Sequence, residues 1–241
     1  MERMFRLDGR RALVTGGSKG IGLAAAEALR ASGAVVTITG RGEAELKASG
    51  FPFWAIDATD TAAMRERFEA EAPFDILVAN AGTNIPQPTL EVTEQAWDAI
   101  FNLNVRAAFF AAQAAARRMV DARRAGVIAF IGSQMGVVGG AKRAAYCGSK
   151  HAIEGITKAM ALELAEHGIR VVCLNPTFVQ TPMTRKFFDD PATRDWILSR
   201  IPMGRPATLE EVAASLVYLC SPAAGMVTGS HLLVDGGWTA P

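Results

Sequence analysis

The stretch Ala12-Leu13-Val14-Thr15-Gly16-Gly17-Ser18-Lys19-Gly20-Ile21-Gly22 carries an apolar run of strand length directly into an Ala-rich amphipathic pattern. A chain that leaves a buried strand at Val14 and enters a helix at Ile21 must turn sharply between them. Gly16, Gly20 and Gly22 permit positive φ, close approach of backbone to a ligand, and tight packing of helix on sheet. The turn also brings unpaired N–H groups and the positive end of a helix dipole to one point, which suits a pyrophosphate. The stretch therefore predicts the opening strand, turn and helix of a parallel α/β sheet with a dinucleotide at the strand's carboxyl end.

The rest of the chain repeats this alternation. Apolar runs at Ala12–Thr15, Val35–Thr39, Phe53–Ile56, Ile76–Val78, Val127–Ile131, Arg170–Leu174 and His231–Val234 suit buried parallel strands. Helical patterns over Ile21–Ser32, Thr61–Glu71, Thr93–Ala122, Tyr146–His167 and Leu209–Leu219 lie between them. With right-handed crossovers this gives an α/β fold, a doubly wound parallel sheet with helices on both faces in the Rossmann manner. No repeat, low-complexity tract or linker divides residues 1–241, so a single dinucleotide-binding and catalytic domain is expected.

Composition removes several classes of function. Lys and Arg number 25 against 24 Asp and Glu, a net charge of +1 that offers no surface for nucleic acid or anionic membrane. No apolar run approaches the ~20 residues of a membrane span. Glu2, Arg3, Arg6, Asp8, Arg10 and Arg11 leave no apolar centre for a secretion signal. Cys147, Cys173 and Cys220 are odd in number and widely spaced, as in reduced thiols of a cytoplasmic protein. No His, Cys and carboxylate cluster has ligand spacing, and no metal is expected.

Tyr146-Cys147-Gly148-Ser149-Lys150 supplies the chemistry, with Ser133 thirteen residues before the tyrosine. On these motifs and the T-G-x-x-x-G-I-G turn, the sequence resembles the short-chain dehydrogenase/reductase family over nearly its whole length. The resemblance implies hydride transfer between a nicotinamide and a secondary alcohol or ketone. A free phenol titrates near ~10, and Lys150, one helical turn on, is expected to lower that value by favouring the phenolate. The resemblance makes Tyr146 the proton donor and acceptor and Ser133 the partner of the substrate oxygen. It also gives Lys150 the nicotinamide ribose hydroxyls, alongside Tyr146. Asn104, seven residues after Trp97, takes the family's water-organising role; Asn102 is a rival two residues away and is read as structural, and Trp97 as core.

The same resemblance assigns the cofactor cradle to Gly16, Ser18, Lys19, Gly20, Ile21 and Gly22. Asp57 and Ala58 fall at the adenine position, and Asn80, Ala81 and Gly82 at the adenosine ribose. Gly40 stands where NAD-specific relatives carry an acid, while Arg41 and Lys19 can face a 2′-phosphate, so NADP is expected over NAD. Pro176, Val179 and Thr181 match the loop that binds the carboxamide, with Thr177 in place of the usual glycine.

Residues 183–203 occupy the position of the family's substrate lid, with Met183, Phe187 and Trp196 as apolar contacts beside Phe178, Gln134 and Met135. A small carbonyl, polyol or sugar is the expected substrate. A 3-oxoacyl-carrier-protein reductase is the alternative, which C-terminal wording such as Ile201-Pro202-Met203-Gly204-Arg205 resembles. Its two docking cations correspond here to Arg124 and His167, and only the first is a strong base. A nucleotide-binding regulator without activity is a third reading, opposed by the presence of all four catalytic residue types. The small-residue helices over Ala107–Ala122 and Tyr146–His167 suggest a homodimer or homotetramer.

Overall fold

The computed structural model describes residues 2–182 and 184–240. They form a parallel sheet of seven strands in the order β3-β2-β1-β4-β5-β6-β7. The strands are β1 (Arg11–Val14), β2 (Val35–Gly40), β3 (Phe53–Ala55), β4 (Ile76–Ala79), β5 (Gly126–Ile131), β6 (Ile169–Pro176) and β7 (His231–Val234). Every strand expected from the apolar runs is present. The helices are α1 (Gly20–Ala31), α2 (Glu43–Ala48), α3 (Thr61–Ala70), α4 (Glu94–Phe101), α5 (Ala108–Asp121), α6 (Ala144–Leu164), α7 (Arg185–Asp189), α8 (Pro191–Ser199) and α9 (Leu209–Cys220).

Alternation along the strands builds two cores. Val14, Ile38, Val78, Ala129 and Leu174 face α1 and α9, meeting Ala25, Ala26, Leu29, Val212 and Leu216. Leu13, Leu77, Ile128, Phe130 and Val171 face the other way, onto Met64, Phe68, Ile153 and the alanines of α5. Those alanines, from Ala108 to Ala116, bring α5 close to the sheet without filling the space with side chains.

The single helix expected over Thr93–Ala122 is divided. Between α4 and α5 lies a π-helical stretch, Asn102–Ala107, whose extra residue per turn swings Asn104 inward and leaves Asn102 exposed. Trp97 is not in the core as expected; it is 44% exposed and stacks on Phe101 with ring centroids 4.4 Å apart. Helix α2 was not expected, because six residues rich in Glu and Lys show no apolar period.

β1 pairs with β2 on one side and β4 on the other. The chain therefore reverses its direction of winding at β1, and the crevice opens between the loops that follow β1 and β4.

Candidate active site

The turn after β1 is braced by the turn after β4. Asn80 Nδ2 donates to the carbonyls of Thr15 and Gly16 at 2.9 and 3.1 Å. Thr15 Oγ1 accepts the N–H groups of Asn80 and Ala81 at 3.0 and 3.1 Å. Gly16 and Gly20 have φ of 64° and 56°, and a Cβ on Gly22 would lie 2.3 Å from the Gly16 carbonyl oxygen. A Cβ on Gly17 would meet Ile38 at 2.7 Å, a requirement the motif alone does not reveal. Helix α1 starts with no side-chain cap at Lys19, so its first N–H groups are left for a ligand.

Around Gly40 the polar groups are arranged for an anion. Ser18 Oγ lies 3.5 Å from the place a Gly40 Cβ would take, and Lys19 is exposed. The Arg41 side chain is 82% exposed, with one guanidinium nitrogen 3.9 Å from Asp57. Asp57 Oδ1 accepts the Thr59 N–H and hydroxyl at 2.9 and 2.8 Å, which lowers its pKa and leaves Oδ2 toward Arg41. Ala58 packs at the margin of the core.

The reacting groups gather where β5 ends. The Ser133 N–H donates to Asn175 Oδ1 at 3.1 Å, while Ser133 Oγ accepts the Met135 N–H at 3.1 Å and donates to Gln134 Oε1 at 3.0 Å. The half-buried Tyr146 shares a hydrogen bond with the Ser133 hydroxyl. Lys150 Nζ donates to the Ile131 carbonyl at 2.8 Å and lies 5.7 Å from the Tyr146 ring centroid. Asn104 accepts the Thr83 N–H at 2.8 Å and donates to the Thr83 carbonyl and Ser149 Oγ at 2.9 and 3.1 Å. It thereby ties the chain after Gly82 to α6.

The lowering of the Tyr146 pKa expected from Lys150 does not appear. Burial raises the phenol's pKa, opposed first by the Ser133 hydrogen bond and then by the Arg143 guanidinium. Burial also pulls Lys150 down to about 8, and its ammonium is directed at a carbonyl rather than at the phenol.

Two groups of site residues escaped the sequence reading. Asn175 Nδ2 donates to Glu154 Oε1 at 2.6 Å, and Glu154 Oε2 lies 3.0 Å from His231 Nδ1. This chain, buried at Asn175 and Glu154 and reaching the surface at His231, fixes the amide oxygen that accepts the Ser133 N–H, yet its members are far apart in sequence. Arg143 is the other, and a base one turn before a catalytic tyrosine is a signal that the sequence did hold.

The loop after β6 carries the remaining positions expected to meet the cofactor. Thr177 N–H donates to the Val234 carbonyl at 3.0 Å, and Thr177 Oγ1 is buried with no partner. Pro176 closes β6, and Val179 is buried with its carbonyl bonded by the Thr184 hydroxyl. The Thr181 N–H and hydroxyl both meet Thr184 Oγ1, at 3.0 and 3.1 Å, so Thr184, which was not among the expected positions, organises the loop of Pro176, Val179 and Thr181. A Gly20 Cβ would find Thr181 at 3.6 Å, so phosphate turn and carboxamide loop adjoin. A glycine cradle that side chains would fill, together with an orphan hydroxyl in this loop, fits a bound dinucleotide.

Of the expected substrate contacts, Gln134 and Met135 are buried beside Ser133. Phe178 packs edge-on against Phe187 and Phe188 at 6.3 and 6.5 Å and tilts over Trp238 at 5.6 Å. Trp196 packs on Trp238 at 5.8 Å and is 48% exposed. Met183 lies outside the described residues. A cavity of about 470 Å³ lined by Arg10, Asp75, Arg170 and Met226 holds none of these groups.

Comparison with known proteins matches the chain to dehydrogenases and reductases over nearly its whole length. A family model described as enoyl-(acyl carrier protein) reductase matches residues 16–239. The chain is 40% identical over 241 residues to L-xylulose reductase of Bos taurus, covering 98% of this chain and 99% of that one. It is 36% identical to gluconate 5-dehydrogenase of Gluconobacter oxydans, covering 98% and 97%. The crystal structure of a gluconate 5-dehydrogenase from Burkholderia cenocepacia, in complex with NADP and tartrate, superposes with a TM-score of 0.94 at 34% identity, over 100% and 99% of the two chains.

Proposed function

The chain belongs to the short-chain dehydrogenase/reductase family, and from that premise we propose that it is an NADP-dependent enzyme interconverting a secondary alcohol and a ketone on a small sugar, polyol or related carbonyl compound. The similarity to L-xylulose reductase and gluconate 5-dehydrogenase supports the substrate's size, and the NADP-bound relative supports the cofactor. Gly40 in place of an acid, with Lys19 and Arg41 beside it, supports the phosphorylated dinucleotide independently.

One observation carries the reaction: Ser133, Tyr146 and Lys150 converge where β5 meets α6. When bound, the nicotinamide supplies or receives the hydride. Gly16, Ser18, Lys19, Gly20, Ile21 and Gly22 would hold its phosphates, Asp57 and Ala58 the adenine, and Asn80, Ala81 and Gly82 the adenosine ribose. Tyr146 and Lys150 would hold the nicotinamide ribose, and Pro176, Val179 and Thr181 the carboxamide. The Ser133 hydroxyl binds the substrate oxygen. Tyr146, kept neutral by burial, gives its proton to that oxygen in reduction and takes it back in oxidation. Lys150, held by the Ile131 carbonyl, would reach the nicotinamide ribose, and Asn104 holds the adjoining backbone in place.

Arg124 lies 3.7 Å from Asp75, and His167 lies 3.8 Å from Glu166. Arg124 thus already faces an acid, and the second docking position holds a histidine instead of a strong base, which supports a small substrate over an acidic carrier protein. The test is a panel of ketones, ketoses and acetoacetyl thioesters with NADPH and NADH. Higher efficiency with NADPH on small carbonyls is expected, and Tyr146→Phe should lower turnover at least a thousandfold with cofactor affinity within a few-fold. Superior turnover of the thioester, or more than a tenth of activity kept by the phenylalanine variant, contradicts the reading.

A further inference from the structure

One cation in the cleft has no part in that chemistry. Arg143 stands three residues before Tyr146, half-buried, with its guanidinium 5.1 Å from the Phe187 ring centroid. Tyr146 and Arg143 are close enough for each charge to bias the other's titration, and burial pulls the guanidinium's pKa down. Among the described residues no carboxylate pairs with it, whereas Arg11 and Arg205 each hold a glutamate. Its side chain does not cap α6, and a cation at that end opposes the helix dipole. A desolvated, unpaired guanidinium beside the reacting phenol lowers stability unless an anion joins it. Residues three apart on a helix share a face, with Cβ atoms ~5–6 Å apart. Whatever Arg143 binds is therefore a few bonds from the carbon that changes oxidation state.

We propose that Arg143 binds an oxyanion carried by the substrate, so that this enzyme acts on an acid of sugar size, or its phosphate counterpart, in preference to a neutral polyol. The proposal rests on the oxidoreductase reading above and sharpens its substrate. A guanidinium presents a planar fork that meets a carboxylate or phosphate through two parallel hydrogen bonds. Phe187 sets an aromatic ring against the guanidinium and packs edge-on against Phe178, an apolar flank for the pair. The same guanidinium eases ionisation of Tyr146, so an anion bound there would also tune the phenol. Of the three relatives named above, one is named for a neutral ketose and two for an acid; Arg143 sides with the acid.

The test uses the NADP-loaded enzyme with gluconate, a hexitol and a hexitol phosphate. At least tenfold higher kcat/KM is expected for a charged substrate than for the hexitol. Preference for gluconate identifies a carboxylate, and preference for the ester a phosphate. Arg143→Gln should raise KM for the charged substrate about 10- to 100-fold, the loss of a charge-assisted hydrogen bond, with a much smaller change in kcat. Arg143→Lys should recover part of the loss. Calorimetric titration with tartrate provides a readout independent of turnover, and Arg143→Gln should weaken that binding by a similar factor. Tartrate binding that is absent, or equal in the two proteins, overturns the proposal, as does a preference for the hexitol. In that last case the oxidoreductase reading stands; it fails separately if no carbonyl or alcohol in the wider panel turns over in a Tyr146-dependent way.

Discussion

Lys150 is buried as an ammonium, and its pKa falls from 10.5 to about 8. Between those values the unfolded chain binds a proton that the folded chain has released, so stability from this group rises with pH across that window. At pH 7 both states are protonated and the full cost of burying the charge is present. Lys150→Met should therefore stabilise the cofactor-free protein at pH 7 by about 2 kcal/mol, after allowing for the lost bond to Ile131. The gain should shrink as pH rises from about 8 toward 10.5, read by urea unfolding of both proteins across that range. An equal difference at every pH would mean that folding does not shift the Lys150 pKa. At this scale the site was largely legible: Tyr146 and Lys150 share one helix face, and Ser133 ends the neighbouring strand. Thr184 and the Asn175–Glu154–His231 chain were not, because their roles come from partners that are distant in sequence or turned by a loop; Arg143 was visible three residues before Tyr146, but its surroundings were not.

Among the elements, the most instructive departure is the π-helical stretch between α4 and α5. Helical periodicity runs through it, so sequence pattern reads one continuous helix. The register shift exists only because Asn104 has Thr83 and Ser149 to bond. The segment with α7 and α8 raises a question of role, since its aromatics build a small core with Ile197, Ile201 and Trp238. Phe187, beside Arg143, and Trp196, on Trp238, should differ accordingly. Phe187→Ala should reorder efficiencies across a ketone panel by about tenfold, the worth of one apolar contact of ~1–3 kcal/mol. Trp196→Ala should speed hydrogen exchange over 185–199 with a smaller change in substrate order. If this segment closes over substrate, wild-type exchange there should slow when cofactor and substrate are both present. Equal exchange with and without ligands would leave it a packing element.

At the scale of the whole molecule, apolar side chains remain exposed on the helices expected to assemble. Trp97 and Phe110 are 44% and 38% exposed on α4 and α5, and Leu162 on α6 is 84% exposed. Most of α5's alanines are already used against the sheet, so an assembly through these helices would rest on the larger side chains rather than on the small ones. Light scattering should give a dimer or tetramer at micromolar concentration, and Leu162→Asp should shift it toward smaller species without loss of helix content. An active wild-type monomer would remove the expectation. The chain by itself determined the order of strands and helices, the glycine turn and the catalytic spacing, because hydrophobic period, backbone freedom and helix pitch act over a few residues. Tertiary structure alone decided the titration of Tyr146 and Lys150, the inward turn of Asn104, and the position of Arg143 with no acid paired to it among the described residues. Desolvation and hydrogen bonding depend on what surrounds a group in space, and those neighbours come from β5, β6 and the loops that the sheet brings together.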